Sequence, residues 1–200
     1  MKKNENNYNI IEWNNTYKSQ KNRHKNRYPS EMIVSWVKRN YATLNKYSLK
    51  CLDLGCGYGN NLLFLKEEGF DCYGIDFSEH VISTINLNLK NKLTCGSLVD
   101  LPYKNNFFDF CIDRSSIQHN PKNDIFLIFK EIHRVLKKNG KIYSMLLKKA
   151  PHSEFHTSYL DQKEIQKALE IFNSIEINYL TLTNNFGAEV REVYLIEAMK

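Results

Sequence analysis

Apolar residues follow a helical spacing in the first forty residues of the chain. This spacing predicts two helices, over residues 10–21 and 29–40, and the second places Ile33, Val34, Trp36 and Val37 on one stripe. Residues 1–8 are polar and rich in asparagine, so we expect them to be disordered. The chain therefore begins with a helical extension.

From residue 49 onward, short apolar runs alternate with amphipathic stretches. The runs predict strands over residues 50–54, 71–75, 94–96, 108–113 and 140–146. Helices are expected over residues 60–68, 78–89, 123–136 and 162–172. Repeated strand–helix–strand units indicate an α/β fold, with a parallel sheet covered by helices on both faces.

The carboxyl-terminal part departs from this alternation. Two strand-like runs, 175–183 and 191–199, are joined by a link that is too short for a crossover helix. They predict an antiparallel hairpin and therefore a mixed sheet. We expect residues 1–45 to form a helical extension or lid and residues 46–200 to form the α/β domain, within a single domain overall.

The amino-acid composition of the chain is that of an ordinary globular protein. Of its 200 residues, 42% are hydrophobic and 25% charged, which is typical of a soluble globular domain. No apolar run is long enough to span a bilayer, and the amino terminus lacks the pattern of a secretory signal, so a cytoplasmic location without a membrane partner is expected.

The charge and the cysteine content of the chain do not indicate a nucleic-acid partner, a disulfide or a metal site. The net charge is +6, but the lysines are scattered, so nucleic acid is not favoured as a partner. The five cysteines form no Cys-x-x-Cys pair. We expect neither disulfides nor a metal, and we interpret the cysteines as small buried residues.

The strongest motif is a strand that runs into a glycine-rich turn and then a helix. It reads Cys51-Leu52-Asp53-Leu54-Gly55-Cys56-Gly57-Tyr58-Gly59-Asn60. Glycines there allow positive φ and close approach of a ligand at the carboxyl edge of the sheet. A nucleotide-like cofactor is expected, and a glycine turn without a ligand is the structural alternative.

Two details of this motif distinguish between cofactors. Asn60 occupies the position where a dinucleotide fingerprint would have its third glycine. Asp53, beside the turn, would repel a pyrophosphate but would favour a ligand that carries an ammonium and a sulfonium. Both details disfavour a nicotinamide dinucleotide.

A second acidic residue follows at the end of the next strand. Asp76 lies about 20 residues past the glycine turn, where a carboxylate can accept hydrogen bonds from two ribose hydroxyls. The alternative role for Asp76 is to cap the following helix, which Ser78 could do instead.

These motifs resemble those of the class I S-adenosylmethionine-dependent methyltransferases, and the small-molecule type 11 branch in particular. The resemblance covers residues 49–147. It implies a Rossmann-like seven-stranded sheet with an antiparallel last strand, and S-adenosylhomocysteine as the product. It also implies that the glycine turn underlies the methionine part of the cofactor, that Asp53 holds its amino group, that Asp76 binds the ribose and that Phe77 packs on the adenine.

One position departs from the family pattern. Many relatives carry an aspartate for the adenine amino group where this chain has Ser97. Ser97, or the backbone of Leu98, is expected to contact the adenine edge with a weaker, neutral hydrogen bond.

The loop after the fourth strand lies where the resemblance places the methyl acceptor. Asp113 is expected in the cofactor site. Arg114 is an acceptor contact or, alternatively, a buried partner of Asp113. His119 is a candidate base, with a packing or capping role as the alternative. The loop lacks the Asn-Pro-Pro-Tyr motif of the DNA and protein-amide branches.

Aromatic and histidine side chains outside the motifs complete the predicted site. We expect the acceptor wall to include Trp13, Tyr17 and Tyr28 from the lid, with His156 and Tyr159 after the fifth strand. The predicted function is methyl transfer to an oxygen or nitrogen of a small molecule, such as a sugar or surface-polysaccharide precursor. The alternatives are an RNA methyltransferase, a nicotinamide-dependent oxidoreductase and a non-catalytic cofactor-binding subunit; the oligomeric state is open.

Overall fold

A computed structural model describes residues 3–19, 28–85, 88–89, 92–150, 157–184 and 189–200. The helices are α1 (Lys3–Ser19), α2 (Glu31–Tyr41), α3 (Asn60–Glu67), α4 (Glu79–Thr84), α5 (Lys122–Val135) and α6 (Gln162–Leu169). The strands are β1 (Lys50–Leu54), β2 (Asp71–Asp76), β3 (Leu93–Cys95), β4 (Phe108–Arg114), β5 (Leu136–Lys149), β6 (Ser174–Asn184) and β7 (Glu189–Met199). Short 3₁₀ helices occupy Lys46–Ser48 and Ile117–His119.

The strands form one sheet in the order β3-β2-β1-β4-β5-β7-β6. The pairs from β3 to β5 are parallel, whereas β7 is antiparallel to both β5 and β6. This confirms the predicted seven-stranded mixed sheet and the carboxyl-terminal hairpin. The chain leaves β1 toward β2 on one side and returns as β4 on the other. The carboxyl ends of β1 and β4 therefore flank the crevice where ligands bind in such sheets.

Helices cover both faces of the sheet because each face carries its own apolar cluster. Residues of α5 and α6, such as Phe129 and Leu169, pack on one face. Residues of α2 and α3 pack on the other, where Trp36 stacks on Tyr143. Trp36 also donates a hydrogen bond from Nε1 to Glu197 Oε2 at 2.8 Å, so α2 is attached to β7.

The amino-terminal helix is the main departure from the sequence prediction. The expected disorder of residues 1–8 is wrong from Lys3 onward, because α1 begins there and continues to Ser19. Its apolar pattern is weak. Contact with the domain, including packing on α4, supplies the stability that the local sequence lacks.

Smaller departures concern a helix and a cysteine. α4 ends at Thr84, whereas the prediction extended this helix to residue 89. Four cysteines are buried as expected, but Cys95 at the end of β3 is exposed. None of the described helices has both the length and the apolar character needed to cross a membrane.

Candidate functional site

The glycine turn lies at the carboxyl end of β1 and leads into α3. Gly55, Gly57 and Gly59 all have positive φ angles, of 65°, 51° and 80°. Glycine adopts such angles most readily, because it has no Cβ atom. The Cys56 amide donates to the Ile75 carbonyl of β2 at 3.0 Å, and the Gly59 amide donates to the Cys56 carbonyl at 2.9 Å. The turn is thereby held against the end of the neighbouring strand.

Ser116, in the loop after β4, packs directly on Gly55. A Cβ atom at Gly55 would lie 2.2 Å from Ser116 Cβ. Ser116 Oγ is 2.7 Å from the Leu54 carbonyl oxygen and 2.5 Å from Asp113 Oδ1. The loop after β4 is therefore seated on the glycine turn, which brings the two sides of the crevice together.

We expect the Gly55→Ala substitution to destabilise the fold by about 1–3 kcal/mol, because it adds both a steric overlap and a strained φ angle. Adding Ser116→Gly should recover part of this loss by removing the overlap. Urea unfolding measures the difference. As the control, Gly96→Ala should change little, since the nearest atom to a Cβ there is 3.4 Å away. A Gly55→Ala protein as stable as the wild type would contradict this packing.

Asp53 is a buried carboxylate in β1, next to the turn. It is 1% exposed, and within the described part of the chain its Oδ2 atom has no hydrogen-bond partner. Burial raises the pKa of Asp53 well above its ordinary value, and the nearby Asp113 and Asp76 carboxylates raise it further. An unsatisfied buried carboxylate is costly. A bound cation would offset that cost, so the residue fits a positively charged ligand.

Asp76 ends β2 and connects the turn to α4. Its Oδ2 accepts a hydrogen bond from the Gly57 amide at 3.0 Å, and its Oδ1 accepts one from the Ser78 amide at 2.9 Å. Burial raises the pKa of Asp76, and these two hydrogen bonds oppose the rise. Ser78 is the N-cap of α4, since its Oγ accepts from the Val81 amide. Each Asp76 oxygen retains capacity to accept a ligand hydroxyl.

Asp113, expected in the cofactor site, has partners within the protein. Its Oδ1 accepts hydrogen bonds from the Ser116 and Ile117 amides at 2.8 and 3.2 Å, and its Oδ2 accepts one from Ser144 Oγ at 2.6 Å. Burial raises the pKa of Asp113, and these bonds oppose the rise. The carboxylate therefore positions the loop after β4.

Arg114, the next residue, is exposed at the end of β4. The donors to Asp113 are backbone amides and serine hydroxyls. The alternative of a buried pair between Arg114 and Asp113 is therefore wrong. Neutral donors satisfy the carboxylate without the cost of burying a guanidinium.

The predicted adenine side is formed by the ends of β2 and β3. Phe77 is half-buried and Leu98 is buried, whereas Ser97 is exposed. Ser97 Oγ accepts a hydrogen bond from the Val99 amide at 3.4 Å, so its hydroxyl also braces the local turn. Contact of these three residues with adenine stays a prediction.

Helix α1 lies across the glycine turn. Ser78 Oγ donates to Asn14 Oδ1 at 2.5 Å, and Tyr58 Oη donates to the Tyr17 carbonyl at 2.8 Å. The Tyr17 hydroxyl is 3.6 Å from where a Cβ of Gly57 would be. Burial, followed by the charge of Asp76, raises the pKa of Tyr17. The helix therefore covers the part of the crevice that the two acidic residues line.

Helix α1 also contacts the loop after β4, where the methyl acceptor is predicted to bind. The Trp13 ring lies 5.0 Å from the His119 ring, edge to face. Gln118 Nε2 is 3.5 Å from His119 Nε2, and Thr157 Oγ1 is 3.5 Å from His119 Nδ1. Gln118 Oε1 accepts from the Leu147 amide at 2.6 Å. α1, the loop after β4 and the end of β5 thus converge at His119.

Other predicted site residues have different placements. Asn60 Nδ2 donates to the Tyr28 carbonyl at 2.8 Å, so Asn60 holds the chain that enters α2. The Tyr28 side chain is 74% exposed. Tyr159 is half-buried ahead of α6. His156 lies outside the described residues.

Sequence reasoning missed several polar residues that shape the site: Asn14, Ser116, Gln118 and Ser144. Ser144 had a detectable signal, because it is a polar residue in the apolar run of β5. The β4–β5 register places it opposite Asp113. The role of Asn14 depends on the docking of α1 and left no signal in the sequence.

Comparison with known proteins agrees with this geometry. Residues 52–144 match the family model described as a methyltransferase domain. A demethylmenaquinone methyltransferase from Anoxybacillus flavithermus is 28% identical over 119 residues, which cover 54% of this chain and 49% of that protein. The bifunctional biotin biosynthesis protein BioHC from Saccharophagus degradans is 36% identical over 103 residues, or 48% of this chain and 18% of that protein. The chain therefore spans half or less of these relatives.

Solved structures match over nearly the whole chain. Magnesium protoporphyrin IX methyltransferase from Synechocystis PCC 6803, solved with bound S-adenosylmethionine, has a TM-score of 0.71 at 18% identity, covering 98% of this chain and 97% of that one. A methyltransferase from Archaeoglobus fulgidus has a TM-score of 0.67 at 16% identity, covering 95% and 99%.

The fold and the site define a Rossmann-like class I methyltransferase domain, as the sequence predicted. More particularly, residues 52–144 match the model of the methyltransferase domain of the type 11 branch.

Proposed function

We propose that this chain is an S-adenosylmethionine-dependent methyltransferase that transfers the methyl group to an oxygen or nitrogen atom of a small molecule. The observation that carries the proposal is the position of α1. This helix is bonded to Ser78 on one side of the crevice and packs on His119 on the other. A cover of this kind supports a small acceptor enclosed beneath it and disfavours a nucleic-acid duplex.

The residues of the crevice fit the cofactor. S-adenosylmethionine supplies an activated methyl group on a sulfonium. Asp53, buried and unsatisfied among the described residues, offers negative charge to the cationic end. Asp76 accepts hydrogen bonds from the ribose hydroxyls. Tyr17 and Trp13 exclude water above them, which strengthens both interactions.

His119 is the proposed base. Gln118 Oε1 accepts a hydrogen bond from the Leu147 amide, so the donor Nε2 of Gln118 faces His119. That donor favours the tautomer in which His119 Nε2 is an acceptor and Nδ1 carries the proton toward Thr157. His119 Nε2 can then take the proton that the acceptor molecule loses, once the acceptor has displaced the Gln118 amide from that nitrogen.

The His119→Asn substitution is expected to lower kcat by about 10²–10⁴-fold and leave the affinity for S-adenosylmethionine unchanged. The pH profile of kcat should lose its acid limb at the same time. The matched control is His133→Asn, because His133 packs on Phe172 and not on the crevice. If turnover in His119→Asn is unchanged, His119 is not the base and only packs against its neighbours.

The acceptor class is tested with methyl-labelled S-adenosylmethionine and a cell extract separated into small-molecule, RNA and protein fractions. Label is expected in the small-molecule fraction. The names of one relative and one structural match include demethylmenaquinone and magnesium protoporphyrin IX, which supports a ring-containing acceptor against Trp13. A sugar precursor stays a prediction. Label in RNA would overturn the proposal, and bound cofactor without any labelled fraction would indicate a non-catalytic subunit.

A further inference from the structure

Strand β6 forms one edge of the sheet. It ends the strand order and pairs with β7 over eleven residues. At about 3.4 Å per residue, this edge is about 37 Å long. No other described strand pairs with it. The opposite edge, β3, is only three residues long and offers little to a partner.

Apart from Glu176, the β6 edge lacks the features that normally protect exposed edges. Ser174–Asn184 contains no proline, lysine or arginine, and its register with β7 runs without a bulge. Natural edges usually carry such features because a bare edge pairs with other chains. Ile175, Tyr179 and Leu182 are also exposed along it. The strand is therefore suited to pairing with another strand.

Two negative side chains face each other at one end of this edge. Glu176 lies opposite Glu197 in the β6–β7 register. The Glu197 oxygens already bind Trp36 Nε1 and Lys141 Nζ, each at 2.8 Å. Like charges directly opposite each other are unfavourable. Asn178 Nδ2 donates a hydrogen bond to Glu176 Oε1 at 2.7 Å, but among the described residues no cation pairs with Glu176. A cation from another chain would offset its charge.

The cation that β7 itself carries on this sheet face is at the other end of the edge. Arg191 of β7 is exposed and lies opposite Leu182. Among the residues that the structure describes, neither Arg191 nor Glu176 forms an ion pair. Glu176 and Leu182 are six positions apart, about 20 Å along the strand, so Arg191 does not reach Glu176 of its own chain.

We propose that two copies of this chain pair through β6, antiparallel, about a twofold axis that is perpendicular to the sheet and passes between Tyr179 and the partner's Tyr179. Such an axis keeps each sheet face on one side, so residues pair only with partner residues of the same face. With Tyr179 opposite the partner's Tyr179, Glu176 lies opposite the partner's Leu182. The partner's Arg191 is the next residue across.

This register is selected by charge. Glu176 and the partner's Arg191 are two strand spacings apart, about 10 Å between Cα atoms, which their side chains span. A shift of two residues one way places Glu176 in line with the partner's Val193. The same shift the other way places it in line with the partner's Glu189. Only the register centred on Tyr179 forms two opposite-charge pairs.

Reversing the charges of Glu176 and Arg191, singly and together, tests the proposal. Sedimentation velocity of the wild type is expected to show a species of twice the 23.6 kDa chain mass. Glu176→Lys and Arg191→Glu should each raise the dimer dissociation constant by about 10–100-fold, because symmetry turns two attractions into two repulsions. The double variant should return to within about threefold of the wild type.

The controls carry the same charge changes on exposed helix positions, as Glu67→Lys and Lys163→Glu, and should leave the dimer unchanged. Because Glu176 and Arg191 are remote within one chain, rescue by the double variant reports contact between copies. A wild type that stays monomeric at all soluble concentrations would overturn the proposal. So would a dimer that both single variants leave intact, or a double variant that is no tighter than either single one.

Discussion

Replacing Asp76 with alanine is expected to weaken the binding of S-adenosylmethionine by at least about a hundredfold. Each hydrogen bond from a ribose hydroxyl to a carboxylate contributes about 1.5–3 kcal/mol, and the substitution removes two. It also frees the Gly57 amide that Asp76 holds at the glycine turn. Isothermal titration calorimetry with S-adenosylmethionine and S-adenosylhomocysteine measures the loss.

The matched control for this prediction is Asp71→Ala at the other end of β2. Asp71 pairs with Lys50 and Lys92 on the protein surface, away from the crevice. Its removal should lower the free energy of unfolding slightly and leave cofactor binding unchanged. Wild-type affinity in Asp76→Ala would show that the ribose contact is wrong.

Replacing Asp53 with asparagine is expected to change stability and function in opposite directions. The pKa of Asp53 is raised in the folded protein, so the ionised carboxylate destabilises the ligand-free fold. An amide removes that charge, and the variant should gain about 1–3 kcal/mol of unfolding free energy near neutral pH. Binding of S-adenosylmethionine should weaken by about 10–100-fold, because the variant no longer attracts its cationic end.

The stability advantage of Asp53→Asn over the wild type is expected to grow as the pH rises. At acid pH, below the ordinary value of 3.8, the carboxyl group is protonated in both the folded and the unfolded wild type, so the variant has little advantage. As the pH rises, only the unfolded chain ionises freely, and the wild type loses stability relative to the variant until the folded-state pKa is passed. Urea unfolding from pH 3 to 8 measures this difference. A variant that is less stable at neutral pH and binds cofactor normally would contradict it.

The strands and the glycine turn could be predicted from the sequence because their signals are local. The buried parallel strands are short apolar runs, and Asp53 and Asp76 stand at fixed distances from the glycines. β1 was predicted with the bounds that the structure has. Such local agreement reflects a sequence in which pattern and fold are consistent.

The partners of the site residues could not be predicted, because they come from distant parts of the chain. Asp113 bonds Ser144, 31 positions away, through the β4–β5 register. Asn60 was informative as the absence of a glycine, but its bond to the Tyr28 carbonyl depends on how α2 docks. The extent of α1 likewise depends on contacts with the domain and not on its own weak pattern.

The central claim is that this crevice holds a positively charged nucleoside between Asp53 and Asp76 beneath α1. A crystal structure of the protein soaked with S-adenosylmethionine and NAD together tests it most directly. We expect density for S-adenosylmethionine alone, with the ribose on Asp76 and the amino-acid part over residues 55–59. A dinucleotide with its diphosphate across the glycine turn would contradict the account.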